Sequence, residues 1–368
     1  MTRALAPDPA PYDALLICSF GGPNQTDDVL PFLRNVTRGK NIPEERLLAV
    51  GEHYYHFGGR SPINGQNLAL RAAMETELAA RGVTLPVLWS NRNWHPYTVD
   101  VLRDAVAFGA RRILVVVTSA YASYSGSRQY REHLAAAVAE LAVPGLELDI
   151  VRPFFNEPGF IDANTEAIVE AAGRLPGDGP MHVVYVTHSI PDTMQRASTA
   201  TGPGYREQHE DVRATIDARL RETVAVPLSS SLAYCSRSGD PRTPWLEPDV
   251  SDELTRLHAA GVERVVIAPI GFISDHMEVA FDLDIEALEA ASELGMAAVR
   301  AGTAGTRPAF VRGLVDLVLE RAARARGESA EPVTTGALGA FPDEAPPGSC
   351  RMREGEVTGI PVLAGTED

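Results

Sequence analysis

Short apolar runs rich in β-branched residues alternate with longer segments of helical periodicity, and this alternation constrains the fold more than any other feature of the chain. The runs are too short and too uniformly apolar for amphipathic helices, and are typical of strands buried on both faces of a parallel sheet. They predict strands at residues 14–20, 87–90, 112–118, 148–152, 183–187, 228–232 and 264–270. Helical patterns separate them at residues 63–81, 98–108, 128–141, 160–174 and 204–224. Repeated strand–helix–strand units predict a doubly wound α/β fold.

The 368 residues divide into two halves of similar rhythm at the proline-bounded segment 153–158. We expect two Rossmann-like parallel-sheet domains, at residues 12–155 and 156–326, with the last helix able to pack back on the first domain. Residues 1–11 are predicted to be disordered. Residues 327–368 are rich in Gly, Pro, Ala, Thr and acidic residues, so they are predicted to form a disordered acidic tail.

Charge and composition exclude several classes of protein. The formal net charge is -16, from 33 Lys and Arg against 49 Asp and Glu. Because such a surface repels nucleic-acid phosphates and anionic lipid, we expect no nucleic-acid partner and no charge-driven membrane binding. The apolar runs are far shorter than the roughly 20 residues of a membrane-spanning helix, and the first residues lack the apolar core of a signal peptide. The sequence therefore predicts a soluble cytoplasmic protein without an integral membrane segment.

Ligands of open α/β sheets bind beyond the carboxyl ends of the strands, so the residues that follow each predicted strand are the first candidates for a site. None of these segments is a dinucleotide-binding glycine fingerprint or a P-loop. His188 directly ends the most apolar strand of the second half. An imidazole there can accept protons near neutral pH or bind a metal ion, and the alternative is a half-buried histidine bonded to a loop carbonyl.

A series of acidic residues follows the last predicted strand. If a helix begins near Asp275, then Asp275 and Glu278 can form a capping box, which is a purely structural role. Glu278, Asp282 and Glu286 then lie at successive i,i+4 positions on one face. Like charges at this spacing destabilise a helix unless something neutralises them, which favours a hydrated divalent ion or a proton relay. A solvated acidic face is the alternative.

The loop at residues 121–130, YASYSGSRQY, is rich in hydroxyl groups and aromatic rings and includes Tyr124 and Tyr130. Such a surface can stack on a flat ligand and form hydrogen bonds with carboxylates at its rim. The alternative is a flexible Gly/Ser loop without a binding role.

Taken together, these segments resemble the ferrochelatases, which insert ferrous iron into a porphyrin in haem biosynthesis. The resemblance covers about residues 12–326, occurs in family order, and is most similar to the actinobacterial branch, whose substrate is coproporphyrin III. The matching motifs are SFGGP (19–23), NVTRG (35–39), HY (53–54), FGGRSPI (57–63), NRNW (91–94), THSIP (187–191), SRSG (236–239), PWLEP (244–248) and GFISDHME (271–278) continuing to DLD (282–284).

The resemblance implies a chelatase fold of two domains with the active site in the cleft between them. It implies that His188 and Glu278 are the catalytic residues and that they handle Fe²⁺ or pyrrole protons. It also implies an outer cation site at Asp282 and Glu286. The porphyrin-binding residues that it implies, together with the aromatic loop, are Phe20, His53, Tyr54, Ser61, Tyr124 and Tyr130.

The chain departs from its relatives at two places. Phe20 stands where some coproporphyrin enzymes have a tyrosine that binds the product iron, and a phenyl ring has no donor atom. Many actinobacterial relatives hold a two-iron, two-sulfur cluster with four cysteines, whereas this chain has Cys18, Cys235 and Cys350, with Ser127 at one matching position. We therefore expect no iron–sulfur cluster and no required cofactor, with Fe²⁺ as a substrate.

Alternative functions are a protoporphyrin IX ferrochelatase, a cobalt or nickel chelatase of a sirohydrochlorin-type ring, and a non-catalytic haem-binding protein. The expected partners are the porphyrin, Fe²⁺ and, transiently, neighbouring enzymes of the haem pathway. Arg38, Arg60 and Arg128 are candidates for contacts with the carboxylates of an anionic porphyrin.

Overall fold

The computed structural model describes residues 7–39, 42–238 and 242–364, and within these ranges it contains eight β-strands and twelve α-helices. The strands are β1 (Ala14–Ser19), β2 (Val87–Asn91), β3 (Arg112–Val117), β4 (Glu147–Ile150), β5 (Met181–His188), β6 (Leu228–Cys235), β7 (Arg264–Ala268) and β8 (Ala297–Arg300). The helices are α1 (Val29–Val36), α2 (Glu44–His56), α3 (Ile63–Ala80), α4 (Thr98–Ala107), α5 (Gln129–Leu141), α6 (Pro158–Ala172), α7 (Asp192–Ser198), α8 (Tyr205–Thr223), α9 (Val250–Ala259), α10 (Met277–Phe281), α11 (Leu288–Glu293) and α12 (Pro308–Ala325).

The strands form two four-stranded sheets in which every pairing is parallel. Their orders are β2-β1-β3-β4 and β6-β5-β7-β8, so the two halves have the same topology. The α/β class is confirmed, and all seven predicted strands are present. The eighth strand, β8, was not predicted because its sequence, AAVR, lacks a β-branched run and its residues are only half-buried.

One buried cluster joins the two sheets. It includes Leu15 and Ile17 of β1 together with Val183 and Tyr185 of β5. The last helix, α12, packs against both α3 and α6, and the Arg81 guanidinium at the end of α3 forms an ion pair with Asp316. These contacts bury apolar side chains from both halves in a common core, which holds the carboxyl ends of the two sheets in a fixed relation.

The C-terminal segment differs from the expectation of disorder over residues 327–364. Phe341 packs edge-on against Phe155, with ring centroids 5.2 Å apart, and Ser349 and Cys350 are buried. Arg152, itself buried in an ion pair with Glu320, donates a hydrogen bond to the carbonyl of Val333. The composition of this segment is poor in apolar residues, but a few apolar anchors and its main-chain carbonyls are enough to order it on the domains.

The N-terminal segment behaves similarly where the structure describes it. The Arg326 guanidinium donates hydrogen bonds of 2.7 Å to the carbonyls of Asp8 and Ala10, which anchors residues that we expected to be disordered. Residues 1–6 and 365–368, the ends of the two segments predicted to be disordered, lie outside the described residues. Among the described residues, no helix has the length and apolar character needed to cross a bilayer.

Candidate active site

The carboxyl ends of three strands in the second sheet place the candidate catalytic residues. His188 is the last residue of β5, Ser236 directly follows β6, and the loop after β7 leads to Glu278. That loop lies close against β5 at Gly271, whose amide donates to the carbonyl of Val186. A Cβ atom at Gly271 would lie 2.1 Å from Oγ1 of Thr187, so only glycine allows the loop to approach the strand that carries His188.

A loop and two helices of the first half contact this region from the opposite side. The Tyr121 hydroxyl donates to the carbonyl of Ile270 at 3.1 Å, and the amide of Asp275 donates to the Gln66 side chain of α3 at 2.7 Å. The His53 ring of α2 stacks on Phe281 of α10, with centroids 3.8 Å apart. The candidate residues of both halves therefore lie around one site at the junction of the two sheets, as expected for a ligand site in an α/β protein.

His188 and Glu278 form the centre of the site. Nε2 of His188 lies 3.5 Å from Oε2 of Glu278, and the two side chains are 34% and 52% exposed. Nδ1 of His188 lies at hydrogen-bond distance from the carbonyl of Ser189, which can only accept, so we assign the proton to Nδ1. In a neutral ring, Nε2 then presents a lone pair to a carboxylate, and a proton or a metal cation between them relieves this repulsion.

His276, immediately before α10, fixes the start of that helix. Its Nδ1 accepts a hydrogen bond of 3.2 Å from the Glu278 amide, and the same atom lies 3.8 Å from the Glu278 carboxylate. Burial lowers the pKa of His276, although the Glu278 charge acts in the opposite direction. His276 is thus a helix N-cap that stays neutral near pH 7 and orients Glu278.

The predicted capping box between Asp275 and Glu278 is wrong. The N-cap position is taken by His276, and Asp275 instead forms an ion pair of 3.1 Å with Arg300. The Asp275 carboxylate thus pairs with a half-buried guanidinium from β8 and does not cap the helix.

The acidic series is held on a helix that changes its winding. The α-helical turn α10 is followed by a π-helical segment at Asp282–Ala287, a rare conformation that is frequently found at functional sites. Burial, opposed by the hydrogen bond from the Ser236 hydroxyl and aided by the charges of Glu278 and Glu286, raises the pKa of Asp282 to about 7. Glu286 is exposed. Its pKa is raised overall by partial burial, although the charge of His53 acts in the opposite direction. Glu278 and Glu286 thus both lie close enough to Asp282 for their charges to act on its carboxyl group.

Aromatic rings and one arginine form the wall contributed by the first sheet. Phe20, directly after β1, packs edge-on against Phe32, which also contacts Tyr54 and Trp94. The Arg92 guanidinium, just after β2, lies 5.1 Å from the centroid of Phe20 and 4.8 Å from that of Tyr130. Its Nη1 atom is buried and has no hydrogen-bond partner among the described residues. Arg92 therefore places a positive charge and an unused donor at this wall.

Three of the predicted porphyrin-binding residues are buried rather than lining an open surface. Tyr130 is 4% exposed and lies beneath Arg92, Ser61 packs against Gly22, and Tyr54 is enclosed by Phe32. Their side chains support the wall, and the half-buried Arg92 lies above Tyr130. We did not anticipate this because burial depends on long-range packing that the motifs do not contain.

The other predicted contacts are only partly buried. Phe20 and His53 are half-buried, as is Tyr124, whose hydroxyl donates to Glu132 at 3.3 Å. Arg38 and Arg60 are exposed, and Arg60 lines a pocket of about 380 Å³ together with Phe57 and Met277.

Arg128 does not face the catalytic pair. It is buried in an ion pair of 3.0 Å with Glu132 and also donates to the carbonyl of Ser349 in the C-terminal segment. Of the three arginines considered for carboxylate contacts, Arg128 is thus the one engaged elsewhere.

Sequence reasoning did not assign site roles to Arg92, His276 and Ser236. Each follows a strand of the sheets, and each lies in a motif that matched the family. Reading every polar residue after a strand end as a site candidate would have found all three.

The described residues hold no group of three or more His, Cys, Asp or Glu side chains arranged to bind a metal ion.

Comparison with known proteins shows to which family the chain belongs. A family model described as Ferrochelatase matches residues 12–322. The chain belongs to the ferrochelatase family.

Individual relatives agree with this assignment. The chain is 51% identical to the coproporphyrin III ferrochelatase of Streptomyces coelicolor over 360 residues, which cover 94% of this chain and 95% of that protein. It is 50% identical to the coproporphyrin III ferrochelatase of Streptomyces griseus over 356 residues, with the same coverage. Among solved structures, SirB from Bacillus subtilis with Fe³⁺ matches 85% of this chain and 97% of its own, with a TM-score of 0.50 at 13% identity, which supports the fold alone.

Proposed function

We propose that this protein inserts Fe²⁺ into coproporphyrin III to give coproheme in haem biosynthesis. The observation that carries the proposal is the pair of His188 Nε2 and Glu278 Oε2, 3.5 Å apart at the junction of the two sheets. Simple haem binding needs no base paired with a carboxylate. The substrate follows from the names of the Streptomyces relatives, which are about half identical to this chain over nearly its full length.

Metal insertion requires that the porphyrin lose two pyrrole protons and bend out of plane before iron enters. The bare Nε2 of His188 is oriented to accept a pyrrole proton, because Nδ1 is occupied by the Ser189 carbonyl. Glu278 would stabilise the resulting imidazolium or hold the incoming Fe²⁺ through a hard oxygen donor. A site through which Fe²⁺ only passes needs few protein ligands, because the porphyrin nitrogens supply the remaining ligands of the iron.

Asp282 and Glu286 would carry the released protons away. A carboxyl group with a pKa of about 7 is present in both forms near neutral pH, so Asp282 can accept and release protons with little driving force in either direction. Glu286 is exposed and joins this path to solvent. A metal cation bound by Asp282 and Glu286 would likewise balance the negative charge of these two carboxylates.

Phe20 gives the coproheme product no axial donor from this position. We propose that Arg92, half-buried against Phe20, supplies positive potential for the anionic rim of the porphyrin. The product would then leave without an iron–ligand bond to break at Phe20.

An iron–sulfur cluster of the kind held by some relatives does not fit these residues. Cys18 is buried in the core of the first sheet and Cys235 in that of the second, which leaves Cys350 as the thiol in the C-terminal segment. An all-thiolate cluster needs four cysteines at one place. We propose that the reaction uses no cluster and takes place in the cytoplasm, where free thiols such as these stay reduced.

Metal insertion can be measured by the loss of the free-base porphyrin absorption with Fe²⁺ under anaerobic conditions. Coproporphyrin III and protoporphyrin IX should be compared side by side, with Co²⁺ and Zn²⁺ as alternative metals. We expect insertion with coproporphyrin III at a higher kcat/KM than with protoporphyrin IX. Turnover of neither porphyrin, or porphyrin binding without insertion of any metal, would contradict the proposal.

A further inference from the structure

A cavity of about 240 Å³ lies away from His188, where three parts of the chain meet. The loop after β3 and the start of α5 form one side, and the segment between α7 and α8 forms the second. The C-terminal segment closes the third. The polar residues that line the cavity are Ser127, Arg128, Arg131, Ser198, Thr201, Ser349 and Cys350.

Two guanidinium groups give the cavity its charge. Arg128 and Arg131 are only 5% and 4% exposed. Arg128 ends the π-helical turn Tyr124–Arg128, and Arg131 lies in the first turn of α5, which continues directly from it. The charge of Arg128 acts unfavourably on that of Arg131, so positive potential is concentrated here although the formal net charge of the chain is -16.

Arg131 is less well compensated than Arg128. Arg128 forms a buried ion pair with Glu132. Arg131 donates to the main-chain carbonyls of Asp343 at 3.2 Å and of Ala364, whereas the Asp343 carboxylate binds Arg324 at 2.6 Å. Burial and the nearby Arg128 lower the pKa of Arg131, and the acidic residues of the C-terminal segment only partly oppose this. Among the described residues, the side-chain hydrogen bonds of Arg131 go to carbonyl groups, which do not neutralise a buried cation, so an anion beside it would be favoured.

The remaining walls set the size and class of the occupant. Ser349 and Thr201 form a hydrogen bond of 3.1 Å to each other, and the Ser127 hydroxyl donates to the carbonyl of Ser123, so hydroxyl groups line one side. Pro153 and Phe341 contribute apolar surface. The volume is well above the roughly 10–15 Å³ that one water requires, so the cavity has room for a small polyatomic ligand.

We propose that this cavity binds a small oxyanion, a phosphate or a short carboxylate, on the guanidinium of Arg131. Because Ser127 and Cys350 at the same place cannot hold a cluster, the space is left for such a ligand. The bound anion would tie the C-terminal segment to both halves of the protein. The site is separate from His188 and Glu278, and the inference does not depend on the proposed function.

Calorimetric titration of the full-length protein tests the site, with inorganic phosphate and with citrate at constant ionic strength set by chloride. Arg131→Met removes the cation, and Thr201→Leu fills the cavity while keeping both arginines. Arg103→Met is the control, because Arg103 is an exposed arginine of α4 paired with Asp100. We expect saturable 1:1 binding of at least one of the two anions, weakened at least tenfold by Arg131→Met and by Thr201→Leu and unchanged by Arg103→Met.

Two sets of results would overturn the site. One is the absence of saturable binding by either anion. The other is binding that Thr201→Leu and Arg131→Met leave unchanged. If Arg131→Met fails to fold, as judged by circular dichroism, Thr201→Leu alone decides, since it changes neither charge nor ion pair. Preference for phosphate or for citrate identifies which oxyanion the site takes.

Discussion

Asp282 offers the sharpest test of the electrostatics of the site. Its pKa is raised from 3.8 to about 7 by burial and by the neighbouring Glu278 and Glu286. The folded protein therefore binds this proton more tightly than the unfolded chain, in which the pKa is about 3.9. As pH rises from about 4 to 7, the unfolded state loses its proton first and the free energy of unfolding falls. Above pH 7 the cost of the buried charge is complete.

The magnitude follows from the size of the shift. About three pKa units, at 1.36 kcal/mol each, correspond to an upper bound of about 4 kcal/mol. Asp282 retains some solvent contact, so screening reduces the expected effect to roughly 2 kcal/mol. Asp282→Asn removes the ionisation but keeps an oxygen that can accept the Ser236 hydroxyl. The variant should be more stable than wild type by roughly 2 kcal/mol at pH 8, with the difference shrinking towards zero near pH 4.

Urea unfolding at pH 4.5, 6 and 8, followed by circular dichroism, measures this difference. Glu293→Gln is the matched control, because it removes one negative charge from an exposed position of α11. Its stability difference should be small and nearly independent of pH. If Asp282→Asn is destabilising at pH 8, or if its effect has the same size at every pH, then the carboxyl is not the buried, proton-binding group that we infer.

Three further predictions concern catalysis, stability and metal content. His188→Ala and Glu278→Gln should each lower kcat for iron insertion about a hundredfold without changing the circular dichroism spectrum, and near-wild-type turnover would remove that residue from the mechanism. Arg152→Met should cost about 1.5–3 kcal/mol in urea unfolding because it removes charge-assisted hydrogen bonds from the buried Glu320, which keeps Arg324 as a partner, whereas a loss below about 1 kcal/mol would show that the Arg152–Glu320 pair is dispensable. Protein purified without oxygen should contain no stoichiometric inorganic sulfide, and about two irons with two sulfides per chain would contradict the cysteine argument around Cys350.

The pattern of the sequence was sufficient for the fold class and for placing the candidate catalytic residues at one edge of the second sheet. Apolar β-branched runs such as residues 112–117 identify buried parallel strands, because few other structures accommodate them. Parallel strands bring their carboxyl ends to one edge, so His188 and the loop leading to Glu278 could be placed together before any contact was known. The motifs then identified the family, which the comparison confirmed.

The state of individual side chains was decided only by the tertiary structure. The motifs marked Tyr130 as a ligand contact, but packing from two distant segments buries it beneath Arg92. The composition after Gly327 predicted disorder, but the segment is anchored by buried arginines more than 170 residues earlier in the chain, such as Arg152, which donates to the carbonyl of Val333 across 181 positions. The pKa of Asp282 likewise depends on burial and on charges set by the fold. Local sequence encodes backbone preference and polarity, whereas burial and charge coupling depend on which distant residues the folded chain brings into contact.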